Sequence, residues 1–597
     1  MTHLLNRATR IACTWRVGAA LALALAAIGM PIAHAEGAFA SGDVVTGNVA
    51  RAPAAYALAL DAGTFVQGRL DGAAANVDLA TEDGRHLRRL VTADGQSRDF
   101  MFVAPANGGY ALQVSAPDAG ALPPDGLRAY RLAIVSRVPR AQQHAPVPGI
   151  ASPRVAKLAA ELAAGGTTDA FWREAAASGT PLVEPAPAQP ARTDATIARG
   201  LNPPDEATQL VTFLWRGARD NVRLLGSPSG EHDTLLHLPG SDVWYRSYVV
   251  PAATRISYLL APDVPELDLD DGARRRAILA TVQRDPLNPR SFMHPAPDVY
   301  QGKSVLELRD APPQPWIAPR ANVPAGTVTA HRFASTVLGN TRDVYVYRPA
   351  GYRADDPARA LVVVFDAHAY VDTVPTPTIL DNLIAEGRVP RTAALIVGNP
   401  DSATRGRELP PNPAFARFLA EELMPWAARE GVSAPAARTV IAGSSYGGLA
   451  SAYAALRHPE LFGNVLSQSG SFWWAPVQGD ARTRTAEWLT REYAARERLP
   501  VRFYLESGRF EDGKGPAGIG TTSRHLRDVL QARGYAVRYA STASGHDYLH
   551  WRGSLACGLI ALIGTPGQGE RAPFAAACPF EPPGESREPS RVPAEAS

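Results

Sequence analysis

Three regimes of hydrophobic patterning succeed one another along the chain. From residue 36 to about residue 140, apolar and polar positions alternate with period two, as in Tyr56-Ala57-Leu58-Ala59-Leu60, Tyr110-Ala111-Leu112-Gln113-Val114 and Tyr130-Arg131-Leu132-Ala133-Ile134. Turn residues such as Asp61-Ala62-Gly63 and Asn107-Gly108-Gly109 separate these runs. Short alternating strands of this kind predict a β-sandwich over residues 36–142. A helical patch from Val155 to Leu162 and a Pro- and Ala-rich run from Glu184 to Arg192 follow, so residues 143–206 read as helix plus linker. Strand patterns resume at Leu210 to Trp215, Val243 to Tyr248 and Arg255 to Leu259, predicting a second, immunoglobulin-like sandwich over 207–262. Residues 263–324 are Pro-rich and charged and read as a connecting segment.

Beyond residue 325 the period changes. Leu361-Val362-Val363-Val364-Phe365 and Ala394-Leu395-Ile396-Val397 are continuous apolar runs, which suit strands buried on both faces of a parallel sheet. Stretches of 3.6-residue periodicity lie between them, at Phe415 to Trp426 and Thr521 to Ala532. The expected fold class is therefore multidomain, with a C-terminal α/β-hydrolase over 325–570, mostly parallel sheet with helices on both faces, preceded by two β-sandwich domains. Residues 571–597 are polar and Pro-rich and read as a mostly disordered tail.

The N-terminus adds a compartment. Arg7, Arg10 and Arg16 precede an apolar stretch from Val17 to Met30, and Ala33-His34-Ala35 is a small-residue cleavage site, so 1–35 reads as a signal peptide. The apolar stretch falls short of the roughly 20 residues that a spanning helix needs. Export places the mature chain in the periplasm, with secretion as the alternative, and no later segment reads as a membrane span. Cleavage would take the formal net charge from +2 to about −1, which leaves no bulk electrostatic reason to bind nucleic acid. The mature chain keeps two cysteines, Cys557 and Cys578, which in an oxidising compartment are expected to pair; closing a loop of that length is worth roughly 3 kcal/mol.

One run carries the chemistry. In Thr439-Val440-Ile441-Ala442-Gly443-Ser444-Ser445-Tyr446-Gly447-Gly448, an apolar strand enters Gly-x-Ser-x-Gly and then a small-residue helix. This is the setting of a nucleophile elbow, with Ser445 on the turn and Ser444 excluded by the frame. Such a serine needs a base, and the chain order of this fold is Ser, acid, His. His546 in Ser544-Gly545-His546-Asp547 follows the last strand; His550, inside the next helix, is its competitor. The acid should follow the strand Val501 to Leu505, where Glu506, Glu511 and Asp512 are available; Glu511, past the reversal at Gly508, is the first choice and Asp512 the second. Two backbone N–H groups, of Tyr446 and of His368 in the loop after Phe365, are the expected oxyanion donors. His368 has no neighbouring cluster with metal-ligand spacing, so no metal site and no cofactor are expected.

Several runs together resemble the bacterial enterochelin (enterobactin) esterases, over roughly residues 207–565. They are Arg405-Gly406-Arg407-Glu408-Leu409-Pro410-Pro411-Asn412, the elbow, Leu466-Ser467-Gln468-Ser469-Gly470-Ser471-Phe472-Trp473-Trp474, Leu505 to Gly508, Gly545-His546-Asp547 and Trp551-Arg552-Gly553. In the second sandwich they are Val211 to Arg216, Gly240 to Trp244 and Asp285-Pro286-Leu287-Asn288. The chain departs from the family in carrying Asp366-Ala367 where the family usually has Asp-Gly, and in having a signal peptide and an extra sandwich.

The resemblance implies hydrolysis of the trilactone ester bonds of a catecholate siderophore such as ferric enterobactin, any iron being carried by the substrate. It also places a glutamate at Glu511. Planar, anionic rings call for cationic and aromatic partners, which Arg405, Arg407, Trp473, Trp474 and Arg552 supply; with Glu408 from the same run as Arg405 and Arg407, these are the expected substrate-binding set. The competing readings are a general carboxylesterase or feruloyl esterase acting on polysaccharide-linked esters, and a glycan-binding protein with an inactive hydrolase domain. The intact Ser445, Glu511 and His546 set argues against the last.

Overall fold

In the computed structural model the described residues are 39–580, except 41, 51, 94–97, 118–127, 144–147, 199–205, 230–231, 269, 294–296, 477–485, 513–517 and 566–573. The signal segment and most of the polar tail read from the sequence lie outside them. The chain divides into two compact units between Val147 and Pro148.

The first unit holds strands β1 (Val44–Val49), β2 (Ala54–Leu60), β3 (Phe65–Gly72), β4 (Asn76–Thr81), β5 (His86–Val91), β6 (Asp99–Val103), β7 (Gly108–Ser115) and β8 (Arg128–Val138). They pair antiparallel into two four-stranded sheets, ordered β1-β8-β3-β6 and β2-β7-β4-β5. The period-two alternation decides what lies between them: Leu58, Leu60, Val66, Leu70, Leu112 and Leu132 share one buried core.

The second unit opens with helices Pro153–Ala163 and Asp169–Ser178, followed by β9 (Leu182–Pro185), β10 (Thr196–Ile197), β11 (Thr208–Arg216), β12 (Val222–Gly226), β13 (Leu236–His237), β14 (Val243–Pro251), β15 (Arg255–Pro262), β16 (Ser291–Phe292) and β17 (Lys303–Glu307). One sheet runs β10-β14-β11-β9 with β13 on β14, and the other β12-β15-β17-β16. This second sandwich is larger than the expected 207–262. The presumed linker supplies β9 and β10, and the presumed connecting segment supplies β16 and β17. Proline-rich composition hid them because each is a short strand, and Pro185 ends a strand at a sheet edge, where a missing N–H costs no ladder bond. Buried Glu184 shows that the run is structural: its carboxylate accepts from Ser152 Oγ at 2.5 Å and from the Arg154 N–H at 3.1 Å, at the start of the first helix.

The rest of the unit is an eight-stranded sheet: β18 (Thr327–Ser335), β19 (Asn340–Arg348), β20 (Ala360–Phe365), β21 (Thr392–Val397), β22 (Thr439–Ser444), β23 (Asn464–Gln468), β24 (Arg502–Gly508) and β25 (Ala536–Thr542). The order is β18-β19-β21-β20-β22-β23-β24-β25; the β18–β19 and β19–β21 pairings are antiparallel and the others parallel. The apolar runs alternate between two cores. Leu361, Val363 and Phe365 of β20 face a core shared with helix Tyr446–Arg457, while Val362 and Val364 face one shared with helix Tyr548–Ile563. Cys557 and Cys578 form a disulfide, with Cα atoms 5.5 Å apart, tying that helix to the segment after it.

The second sandwich and the large sheet share packing. Phe510 and Ala543, from the loops after β24 and β25, are buried in the same core as Val211, Tyr248, Ile256 and Leu306 of the sandwich. This contact sets the place of the chemistry described next.

Candidate active site

Ser445 sits between β22 and helix Tyr446–Arg457 with φ 57° and ψ −121°, a conformation that L residues adopt only under constraint. Three backbone bonds hold the turn. The Ser445 N–H donates to the Gln468 carbonyl at 2.9 Å, and its own carbonyl accepts from Leu449 and Ser471, each at 3.1 Å. The flanking glycine is required by contact: a Cβ on Gly443 would lie 2.6 Å from the Gly447 carbonyl carbon. The hydroxyl Oγ lies 3.3 Å from Ser471 Oγ. Ser444 is fully buried beneath the turn.

His546 and Glu511 are brought together by the loops after β25 and β24. Imidazole Nδ1 lies 2.5 Å from Glu511 Oε1, with the glutamate side chain almost wholly buried. The other carboxylate oxygen accepts from Ser469 Oγ at 2.7 Å and from the Gly508 N–H. Ser469 in turn accepts from the Trp551 indole at 3.0 Å, and that indole meets the His546 ring edge-on, centroids 4.8 Å apart. With Nδ1 paired to a carboxylate, Nε2 is the nitrogen left for proton transfer.

The competitors have other partners. Asp512 accepts from the Thr521 N–H at 2.7 Å and from Arg524 at 3.0 Å, at the start of helix Ile519–Ala532. His550 is buried against Thr542 Oγ1 at 3.1 Å, and Glu506 accepts from Ser554 Oγ at 2.7 Å.

The second sandwich braces both catalytic loops. The Arg255 N–H donates to the Ala543 carbonyl at 3.0 Å, and Arg509 pairs with Glu206 at 2.7 Å. Asp547, next to His546, accepts at Oδ2 from the Ser257 N–H (3.1 Å) and Oγ–H (2.8 Å). Its Oδ1 accepts from the His550 N–H at 3.2 Å, capping helix Tyr548–Ile563.

The expected oxyanion donors lie at two helix starts. Tyr446 and His368 are first-turn residues of helices Tyr446–Arg457 and Ala367–Tyr370, where N–H groups have no intrahelical carbonyl to bond. Asp366, at φ 63°, turns the chain from β20 into the second of these. Its buried carboxylate takes a bidentate pair from Arg405, both bonds 2.7 Å, and a 2.6 Å bond from Asn399. Burial opposes the Arg405 charge, but the bonds to Asp366 and its charge outweigh this and hold the guanidinium pKa above its ordinary value.

Most of the expected substrate-binding set has partners within the protein. Arg405 is paired with Asp366. Glu408 is buried against the fully buried Arg342 at 2.8 Å and is part of the core. Arg552 lies at the contact with the sandwich, donating to Gln314 at 2.9 Å and covering the Phe292 ring at 5.0 Å; burial, then the neighbouring Arg255, lowers its pKa. Trp474 packs edge-on against Trp488 on the hydrophobic core. Trp473 remains, half-buried and 6.1 Å from the Tyr446 ring, as does exposed Arg407, which donates to Thr404 at 3.0 Å.

Tyr548 was not anticipated. Its ring lies edge-on to His368, Tyr370 and Trp551, and burial, with the charge of Asp366, pushes its phenol up to about 12. Ser469, Ser471 and Trp551 were inside runs already singled out, but spacing alone assigned them no role. Among the described residues, no three His, Cys, Asp or Glu side chains are placed to hold a metal ion, and no helix is long and apolar enough to cross a membrane.

A strained serine on a strand-to-helix turn, in a mostly parallel sheet whose later loops carry a histidine–glutamate pair, defines an α/β-hydrolase of the esterase type. Family models match accordingly: Esterase over residues 335–562, and Enterochelin esterase, N-terminal, over 210–317. The chain is 32% identical over 438 residues to the iron(III) enterobactin esterase of Dickeya dadantii, covering 66% of this chain and 93% of that protein. It is 29% identical over 435 residues to the iron(III) salmochelin esterase of Escherichia coli O6:H1, covering 69% and 98%. A crystal structure of the Shigella flexneri enterobactin esterase in the presence of enterobactin is 30% identical, covers 61% of this chain and 94% of that one, and superposes with a TM-score of 0.49. The chain belongs to the enterochelin esterase family.

Proposed function

We propose that this protein hydrolyses the ester bonds of a catecholate siderophore of the enterobactin type, opening the trilactone and loosening its hold on iron. The observation that carries the reading is the Glu511–His546 pair on loops beside the Ser445 elbow, in a chain similar over most of its relatives' length to iron(III) enterobactin and salmochelin esterases. Ser445 Oγ attacks an ester carbonyl as His546 Nε2 takes its proton, and the Tyr446 and His368 N–H groups receive the oxyanion. The imidazolium, steadied by Glu511, gives the proton to the departing serine alkoxide of the substrate. Water, deprotonated by His546, then cleaves the acyl-enzyme and regenerates Ser445.

Trp473, Tyr446, Tyr548 and Arg407 supply the aromatic and cationic surface for the catechol rings. The segment 1–35 directs the chain out of the cytoplasm, so the reaction takes place in the periplasm. The test is a substrate panel of ferric enterobactin, iron-free enterobactin, feruloyl esters and p-nitrophenyl esters. Enterobactin-type esters should be cleaved with the highest kcat/KM; failure to cleave them, with turnover of feruloyl esters, would overturn the siderophore assignment and leave the esterase.

A further inference from the structure

The three runs of the second sandwich that the catalytic site does not use meet at one place. Trp215-Arg216, Asp242 and Asp285-Pro286-Leu287 come together beside helix Asp169–Ser178, around a half-open cavity of about 410 Å³. Strand β11 starts beside Glu206, which pairs with the catalytic loop through Arg509, and the cavity lies at its other end, about 25 Å away for nine extended residues.

The walls are apolar and aromatic: Trp172, Leu214, Trp215 and Leu287. Trp172 is fixed in place, its indole N–H donating to Asp242 at 2.9 Å and its face covered by the Arg216 guanidinium at 5.5 Å. Arg216 is itself neutralised, bonding to Asp242 at 2.7 Å with Asp169 at 3.8 Å. Asp285 is turned to the Tyr258 hydroxyl and the Leu287 N–H, at 2.7 and 3.0 Å. Arg173, exposed at the rim, has no acceptor among the described residues. The result is a preformed, largely apolar and aromatic cavity in which Arg173 is the charged lining residue without a partner among the described residues. Its volume is in the lower half of the range for small-molecule sites, roughly 300–1,000 Å³, room for one substituted ring and not for a three-armed chelate.

We infer that this cavity is a second ligand site, for a small aryl carboxylate whose ring lies against the half-buried Trp215 and whose carboxylate meets Arg173. The choice of acid rests on the function proposed above: the single-ring fragment released by trilactone hydrolysis, an N-arylacyl serine, has this chemistry. The site therefore senses or retains product away from the catalytic cleft.

The test is equilibrium dialysis of N-(2,3-dihydroxybenzoyl)serine against the full mature chain carrying Ser445→Ala, alone and combined with Trp215→Ala or Arg173→Gln. Trp215→Ala should weaken one class of binding at least tenfold and Arg173→Gln about threefold. The corresponding amide, lacking the carboxylate, should bind more weakly and not respond to Arg173→Gln. In the Ser445 background, Trp215→Ala and Arg173→Gln should leave hydrolysis of p-nitrophenyl acetate unchanged. Binding that neither substitution alters, or no binding at all, overturns the site. Because Arg173 is exposed, its replacement reports even if Trp215→Ala does not fold. Enterobactin cleavage is scored separately: a chain that cleaves it but has no second site refutes only this inference, and one that binds the acid without cleaving the trilactone refutes only the proposed function.

Discussion

Replacing Ser257 by Ala should impair catalysis from the non-catalytic sandwich. Ser257 and Asp547 are buried, and Asp547 Oδ2 takes both the N–H and the Oγ–H of Ser257. Alanine keeps the first bond and removes the second, leaving a buried carboxylate one donor short. A hydrogen bond to a charged group contributes about 1.5–3 kcal/mol, so stability should fall by about 2 kcal/mol. The lost bond fixes the residue beside His546, on a loop that Arg255 and the Phe510–Ala543 contact hold from the same side. If about 1.4 kcal/mol of that loss is felt when the imidazole aligns for proton transfer, kcat should fall about tenfold. KM for a small p-nitrophenyl ester should not change, since nothing that touches it has moved. The assay is kcat and KM for that ester beside thermal unfolding, with Ser257→Thr as the hydroxyl-retaining control that should recover most of the rate. A kcat within twofold of wild type despite the lower stability would refute the reasoning and leave the brace a purely structural contact.

Arg405→Gln should destabilise the fold by about 3–5 kcal/mol, because it leaves the carboxylate of Asp366 buried without its partner; Arg405→Lys should fold and lose activity at small and large esters alike, which steady-state kinetics on both will check. Thiol titration of the denatured, unreduced protein should find no free thiol at Cys557 or Cys578, and Cys557→Ser should cost about 3 kcal/mol in denaturant unfolding. Hydrogen bonding from Arg255 holds the Glu307 carboxyl below its ordinary pKa. Its contribution is therefore present above the unfolded-state pKa of about 4.3 and lost as pH falls through the folded value, so the stability gap between wild type and Glu307→Gln should close on acidification.

What the sequence made legible follows from how locally each feature is encoded. The elbow was readable because strand, Gly-x-Ser-x-Gly and helix are contiguous, and the fold class because Leu361–Phe365 and Ala394–Val397 are buried on both faces. Glu511 could be ranked above Asp512 from its place in the loop, but only the tertiary structure shows Asp512 at the start of a helix and Glu511 against His546. The partners of the expected substrate-binding residues were not legible. Arg405 and Arg552 have the right chemistry for a bound anion, yet their partners Asp366 and Gln314 lie 39 and 238 residues away, and Glu408 meets Arg342 across 66. Side-chain pairing at such separations leaves no periodic trace. The second sandwich was underestimated for a related reason: β9, β10, β16 and β17 are too short to show alternation and are recruited by sheets already formed.

The most direct measurement is labelling of the intact mature protein with a fluorophosphonate, followed by peptide mapping and ester hydrolysis of Ser445→Ala and Ser444→Ala. The expected result is a single adduct on Ser445, no hydrolysis by Ser445→Ala, and a substantial fraction of wild-type rate in Ser444→Ala. An adduct on any other residue, or hydrolysis that survives Ser445→Ala, would contradict the assignment of the nucleophile on which the rest depends.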